Sequence, residues 1–326
     1  MKIILHPPEY IIHLSFTMKT IGAFFRLIRW PNLIFIILTQ ALFRYFILPF
    51  VYLEAHPGYE AIKLSEGLFY LLVLASVCIA AAGYIINDYF DENIDLVNKL
   101  PKVIVGKFIK RRSAILLHAV LSVIGLLLSL YIGYKLRNPF IPFFNFIAIM
   151  LLVFYSSTFK KKILIGNVII SLLTAWTILV LTLAEYRFRI SPHDIVWQRL
   201  LKVSFIYAAF AFIISLIREV IKDMEDIEGD LRYGCKTMPI VWGLPVSKVF
   251  AGVWIVVLVG TLVAIQLYII QLGWWISALY TFALITIPCM WVLKKLYKAN
   301  TPADFHRLSS VIKLIMLAGI ISMLFF

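Results

Sequence analysis

Nine apolar runs of about 20 residues each, separated by short polar stretches, leave this 326-residue chain few ways to fold. They fall at roughly 26–52, 67–87, 112–134, 139–156, 163–185, 201–221, 245–270, 273–293 and 306–326. With 62% hydrophobic residues, the composition excludes a water-soluble globular domain. The sequence predicts an all-α, polytopic membrane protein with about nine transmembrane helices in one bundle. No Gly/Ser linker, low-complexity tract or soluble insertion interrupts residues 26–326, which read as a single domain. Residues 1–25 contain Pro7-Pro8, Glu9 and two His but no clean apolar stretch with a cleavage site. They read as a retained interfacial lead-in rather than a signal peptide.

The formal net charge of +14 raises nucleic acid, anionic lipid or topology as its cause. Position decides between them. With the N-terminus in the cytoplasm, 22 of the 31 Lys and Arg lie in loops on that side, and seven lie on the other. This obeys the positive-inside rule, so the basicity needs no nucleic-acid partner. The three cysteines, Cys78, Cys235 and Cys289, are far apart and form no CxxC, so they read as ordinary buried residues.

Acid is scarce and clustered. Ten of the 17 Asp and Glu fall in two windows, four between 88 and 95 and six between 219 and 230. Asp88, Asp91 and Asp95 step by three and four residues, and Asp223, Asp226 and Asp230 repeat that spacing 135 residues later. The recurrence hints at two related halves meeting around one site. On a helix, positions i, i+3 and i+7 share a face, so each triplet is expected to aim its carboxylates one way at the cytoplasmic end of a span. So many carboxylates around one cavity cannot all stay ionised unaided. Mg²⁺, which prefers carboxylate and amide oxygens and shares its shell with substrate phosphates, resolves this. Asn87 supplies a neutral oxygen beside the first triplet. The chemistry favoured is departure of diphosphate, with cations stabilising the developing charge.

These motifs resemble those of the UbiA superfamily of intramembrane prenyltransferases. Its N-D-x-x-D-x-x-x-D signature is met by Asn87, Asp88, Asp91 and Asp95, and its D-x-x-D-x-x-x-D by Asp223, Asp226 and Asp230. Tyr155-Ser156, Lys160-Lys161 and Gly166-Asn167 match a smaller feature, and Arg29-Trp30-Pro31-Asn32 matches the opening Arg-x-x-Asn. The resemblance implies a UbiA-type fold, a polyprenyl diphosphate donor, Mg²⁺ as cofactor, and a hydrophobic or prenylated acceptor met within membrane lipid. The stretches 87–99 and 218–230 are most similar to the ether-lipid branch, which implies a geranylgeranyl donor and the hydroxyl of geranylgeranylglyceryl phosphate as acceptor. After Lys99 the chain departs from the usual loop and reads Leu100-Pro101-Lys102-Val103.

The resemblance and the chemistry together nominate Asn87, Asp91, Asp226 and Asp230 for metal-mediated diphosphate binding, with Asp88, Asp95 and Asp223 completing the metal set. Arg218 and Lys222 share a helix face and suit phosphate oxygens. Lys160, Tyr155, Asn32, Arg29 and Asn167 join the substrate site by resemblance. Asp95 has an alternative partner in Lys99 or Arg111. Arg44 and Lys313, single cations inside apolar runs, are expected to snorkel, and His118 and Asn145 to make interhelical hydrogen bonds. No His stands near either cluster in sequence, which leaves a carboxylate or the diphosphate to take the acceptor's proton. An aromatic acceptor on the way to a quinone is the alternative within the same fold. An ion or anion transporter is the alternative outside it, although its carboxylates belong near the membrane midplane. The expected setting is the cell (inner) membrane, with the site facing the cytoplasm.

Overall fold

A computed structural model describes residues 22–53, 62–98, 104–187 and 194–326, and within these the side chains of 93–98 are left aside. Among the described residues nine helices are long and apolar enough to cross a membrane. These are α1 (Trp30–Leu53), α2 (Glu66–Asn98), α3 (Arg111–Lys135), α4 (Phe140–Ser157), α5 (Ile165–Glu185), α6 (Ile195–Glu225), α7 (Gly243–Gln271), α8 (Trp275–Lys298) and α9 (Pro302–Phe325). The chain is an integral membrane protein with an all-α fold. Rows of large apolar side chains on α3 (Leu116, Val120, Val123, Leu127) and on α7 (Val249, Val253, Val256) are exposed, as expected of faces that meet lipid.

Each span of the sequence reading has its helix, but three ends differ. The first apolar run is broken: residues 22–27 form a short helix, and Arg29, at φ 50° and ψ 52°, precedes α1. α2 continues past residue 87 to Asn98, so the first acidic motif rides on an unbroken helix. α6 starts at Ile195, where Asp194 caps it by accepting from the Trp197 N–H, and runs to Glu225. Both α1 and α8 widen into a π turn, Phe43–Ile47 and Phe282–Thr286. Pro49 and Pro288 follow these turns; each lacks the N–H for an α-helical bond, and the backbone accommodates the loss by widening.

Two apolar clusters hold the bundle. One joins α6, α7, α8 and α9 through residues such as Ile217, Ile255, Val292 and Phe305. The other joins α1 to α6 at the end remote from the acidic motifs, through Phe43, Leu72, Ile132, Leu181 and Leu200. α2 packs on α3 and α4, α5 on α6, and α9 returns against α6 and α1, which leaves an interior space bounded by α1, α2, α4, α5, α6 and α9.

The remote end is tied by buried charge. Glu185, at the end of α5, accepts hydrogen bonds from the Lys63 and Leu64 N–H groups at 2.8 and 3.0 Å and from the Tyr52 hydroxyl at 3.0 Å. Burial lowers the Lys63 ammonium, with Glu185 opposing the shift. Arg44 does not snorkel. It is buried, and it donates to the Leu64 carbonyl at 3.0 Å and reaches Glu66 at 3.4 Å, because the turn before α2 folds back over it. Glu185→Ala strands the buried Leu64 N–H and the part-buried Lys63 N–H and is expected to cost about 3 kcal/mol. A drop of several degrees in the thermal midpoint of the detergent-solubilised protein checks this, and an unchanged midpoint sinks it.

Candidate active site

Four local devices bring the acidic motifs together. On α2, Asn87 and Asp91 lie one turn apart, and the Asn87 Nδ2 donates to Asp91 Oδ2 at 2.8 Å. On the other side α6 stops at Glu225. Asp226 takes a non-helical φ of −97° and ψ of 10°, and a six-residue helix, Ile227–Arg232, carries Asp230. The second triplet therefore does not run on one continuous helix, contrary to its i, i+3, i+7 spacing. The break instead lets Asp223, Asp226 and Asp230 line a single cavity. Beyond it, the Lys236 N–H donates to the Lys161 carbonyl at 2.8 Å, which straps this loop to the α4–α5 connection. That connection makes a 3-10 turn at Phe159–Lys161, and Leu164, at φ 61°, turns the chain into α5. The left-handed conformation costs a non-glycine residue on the order of 1–2 kcal/mol, and here it sets the entry of α5 close against the lysine turn.

Lys160 is brought into ion-pair contact with Asp91. Burial pulls its ammonium down to about 7, Cys235 and Asp230 oppose the shift, and Lys161 and Arg29 add to it. Burial likewise pushes the Cys235 thiol up, with Asp230 adding to the rise. Asn167, one turn into α5, donates to Asp223 Oδ2 at 2.8 Å. Arg218 and Lys222 share Glu219, at 2.9 and 4.0 Å.

These groups form the head of a cavity of about 370 Å³. On α2 the lining runs from Asp91 back to Ser76, fifteen residues or about 22 Å of helix. Away from the charged head the wall is largely apolar, with Phe35, Ile36, Ile79, Leu173, Phe210 and Ile320. The space is therefore charged at one end and greasy along its length.

Most residues nominated from sequence meet here: Arg29, Asn32, Asn87, Asp91, Tyr155, Lys160, Asn167, Arg218, Lys222, Asp223, Asp226 and Asp230 all line the cavity. Asp88 does not. It is not among the lining residues and pairs instead with Arg29, at 2.7 Å. Asp95 stands in the last turns of α2, and its side chain lies outside the described residues. Arg111 pairs with Glu92 at 3.0 Å. His118 meets the Ala82 carbonyl at 3.0 Å, and Asn145 bridges Ser129 and Trp176, so both link helices. Three residues of the charged head were not nominated from sequence. Lys313 does not snorkel; it points inward and donates to Asn32 Oδ1 at 2.8 Å. Glu219 and Tyr84 also line the head. The i, i+3 and i+4 spacing of Glu219 to Lys222 and Asp223 was the signal available for the first. His306 of α9 meets Glu225 at 2.8 Å, beside the second motif but outside the cavity lining.

The donor set suits a hard divalent cation. Carboxylates surround the head, and Asn87 Oδ1 is buried with no hydrogen-bond partner among the described residues. Among those residues no three carboxylate, imidazole or thiol side chains converge as a closed metal cage.

Comparison with known proteins agrees with this geometry. The model of the UbiA prenyltransferase family matches residues 30–316. The chain belongs to that family, and it is a prenyltransferase. Among curated relatives, the digeranylgeranylglyceryl phosphate synthase of Methanothermobacter thermautotrophicus is 33% identical over 218 residues, 64% of this chain and 67% of that one. The enzyme of the same name from Sulfolobus acidocaldarius is 34% identical over 199 residues, 60% of this chain and 64% of that one. The matched stretches thus span about two thirds of these relatives. A solved structure described as a digeranylgeranylglyceryl phosphate synthase in membranes superposes with a TM-score of 0.59 at 24% identity, covering 94% of this chain and 99% of that one. A UbiA homolog from Aeropyrum pernix superposes at 0.61 and 18% identity, over 92% and 97%. One from Archaeoglobus fulgidus, bound to DMAPP and Mg²⁺, superposes at 0.54 and 16% identity, over 92% and 98%.

Proposed function

We propose that this protein transfers a polyprenyl group, geranylgeranyl by preference, from its diphosphate to the hydroxyl of a glyceryl-phosphate ether lipid, with Mg²⁺. The carrying observation is the cavity itself, in which acidic residues of two motifs meet at the head of an apolar slot that reaches about 22 Å along α2. A prenyl diphosphate has the same division of charge and grease. Asn87, Asp91, Asp223, Asp226 and Asp230 are the residues to hold Mg²⁺, whose charge, when bound, offsets the charge developing on the departing diphosphate. Lys160, Arg218 and Lys222 supply cations to the same oxygens. The apolar walls orient the tail and keep water from the allylic carbon, so that the acceptor hydroxyl is the nucleophile that reaches it. The names of the curated relatives support the glyceryl-phosphate acceptor, and the loop count of Lys and Arg supports a site on the cytoplasmic face.

The test is a product mass spectrum. Purified protein receives Mg²⁺, geranylgeranyl diphosphate and, separately, geranylgeranylglyceryl phosphate, 4-hydroxybenzoate or dihydroxynaphthoate. A doubly prenylated glyceryl phosphate that disappears with chelator is the expected product. A prenylated ring, with the glyceryl phosphate untouched, would replace the acceptor with an aromatic one.

A further inference from the structure

The cavity head carries a second charged group, of the opposite sign to the motifs. Lys313 of α9, Arg29 before α1, and Arg218 and Lys222 of α6 line it together. Arg29 has Asp88, and Arg218 and Lys222 have Glu219. Lys313 is held differently. Its Nζ donates to the neutral Asn32 amide oxygen at 2.8 Å and sits 5.3 Å from the centroid of the Phe35 ring. Among the described residues no carboxylate lies within ion-pair distance of it.

An ammonium inside a membrane bundle, lining the same cavity head as other cations and held by an amide and a ring, is costly unless an anion completes it. Nearby, the Arg218 Nε is buried and lacks a partner among the described residues. Lys160, by contrast, meets Asp91 directly and feels Asp230. The head thus offers two anion positions. One lies on the α2, α4–α5 and motif side, where metal and diphosphate belong. The other lies on the α1 and α9 side, at Lys313 and the Asn32 that holds it.

We propose that Lys313, positioned by Asn32, binds the phosphate of the acceptor lipid and thereby selects a phosphorylated alcohol over neutral or aromatic acceptors. This rests on the glyceryl-phosphate reading above and assigns a residue to its specificity. A phosphate monoester is a dianion near neutral pH, and the three N–H donors of an ammonium suit it. The tail of the same acceptor then lies along the apolar wall that α9 continues through Met316, Ile320 and Met323.

Acceptor binding is measured without metal and without donor, so that no turnover occurs. Calorimetry in detergent compares a single-chain alkylglyceryl phosphate with the same alkylglycerol lacking phosphate. The variants are Lys313→Met, Lys313→Arg and Asn32→Asp, and Mg²⁺-dependent binding of geranylgeranyl diphosphate is measured on each. The wild type is expected to prefer the phosphorylated ligand by at least about tenfold. Lys313→Met should weaken that ligand by about 10- to 100-fold, the loss of a charge-assisted contact, while donor affinity stays within about threefold. Lys313→Arg should keep most of the preference. Asn32→Asp, which gives Lys313 a carboxylate and repels phosphate, should reproduce the loss even if the methionine variant does not fold. A Lys313→Met protein that retains the preference, or one that loses donor binding equally, overturns the assignment and leaves the proposed reaction standing. A wild type without any preference for the phosphorylated ligand overturns the glyceryl-phosphate reading and this assignment with it.

Discussion

Asp91→Asn is expected to lower the rate of prenyl transfer by about 10²- to 10³-fold, and the double variant Asp91→Asn, Asp226→Asn to bring it to background. The substitution keeps size and shape and removes only charge. Asp91 Oδ2 is occupied by the Asn87 amide and its other oxygen meets Lys160, so one carboxylate fixes both the first motif and the lysine turn. Without it Lys160 loses its counter-charge and the cavity head loses one arm of the donor set around Asn87 Oδ1. Asp226 lies on the opposite arm, at the break in α6. The two losses are not expected to add as independent terms, because both arms hold the same diphosphate. The readouts are turnover at saturating donor and Mg²⁺-dependent donor binding, with the thermal midpoint as a check on folding. A folded Asp91→Asn protein with turnover within about threefold of wild type would remove this carboxylate from the chemistry and reopen the reading of the cavity.

What could be read beforehand follows the range of the forces involved. Apolar runs of fixed length report membrane thickness, a local property, and all nine appear as helices. Their ends were harder, because a helix does not stop where the hydrocarbon does: α2 carries its polar motif to Asn98, and α6 begins six residues earlier than its apolar run. The acidic spacing identified the right residues for partly the wrong geometry. Asp223 and Asp226 do line one cavity, but α6 ends at Glu225 between them, and no Gly or Pro stands at Asp226 to announce it. Partners distant in sequence left no local trace. Asp88 finds Arg29 across 59 residues, Asn167 finds Asp223 across 56, and Lys313 finds Asn32 across 281. Arg44 and Lys313 look alike in sequence, single cations in greasy runs. One closes the remote end of the bundle and the other lines the cavity, and only the packing of α9 against α1 separates them.

Gly166→Ala is expected to impair the enzyme about 100-fold through a single methyl group. Gly166 occupies the first turn of α5, where a Cβ would stand 2.8 Å from the Lys160 Cα and 3.1 Å from the Phe159 carbonyl oxygen. These are backbone atoms, so no rotamer change relieves the clash and the 3-10 turn Phe159–Lys161 has to move. The turn is held on its other side by the Lys236 N–H on the Lys161 carbonyl, which couples it to the loop carrying Asp230. A shift of about 1 Å there carries Lys160 away from Asp91 and disturbs both motifs at once, and displacement on that scale costs about 10² in rate. Helix propensity works the other way, since Ala in place of Gly favours a helix by about 1 kcal/mol. The two effects make opposite marks on two measurements: turnover and donor affinity fall, while the stability of the solubilised protein changes little. Gly319→Ala is not equivalent, because the atoms it would meet belong to the Phe210 side chain rather than to backbone. Should Gly166→Ala turn over like wild type, the close approach of α5 to the lysine turn does not set the geometry of the site. Should it fail to fold while Gly319→Ala folds, that contact is a requirement of the bundle before it is one of catalysis.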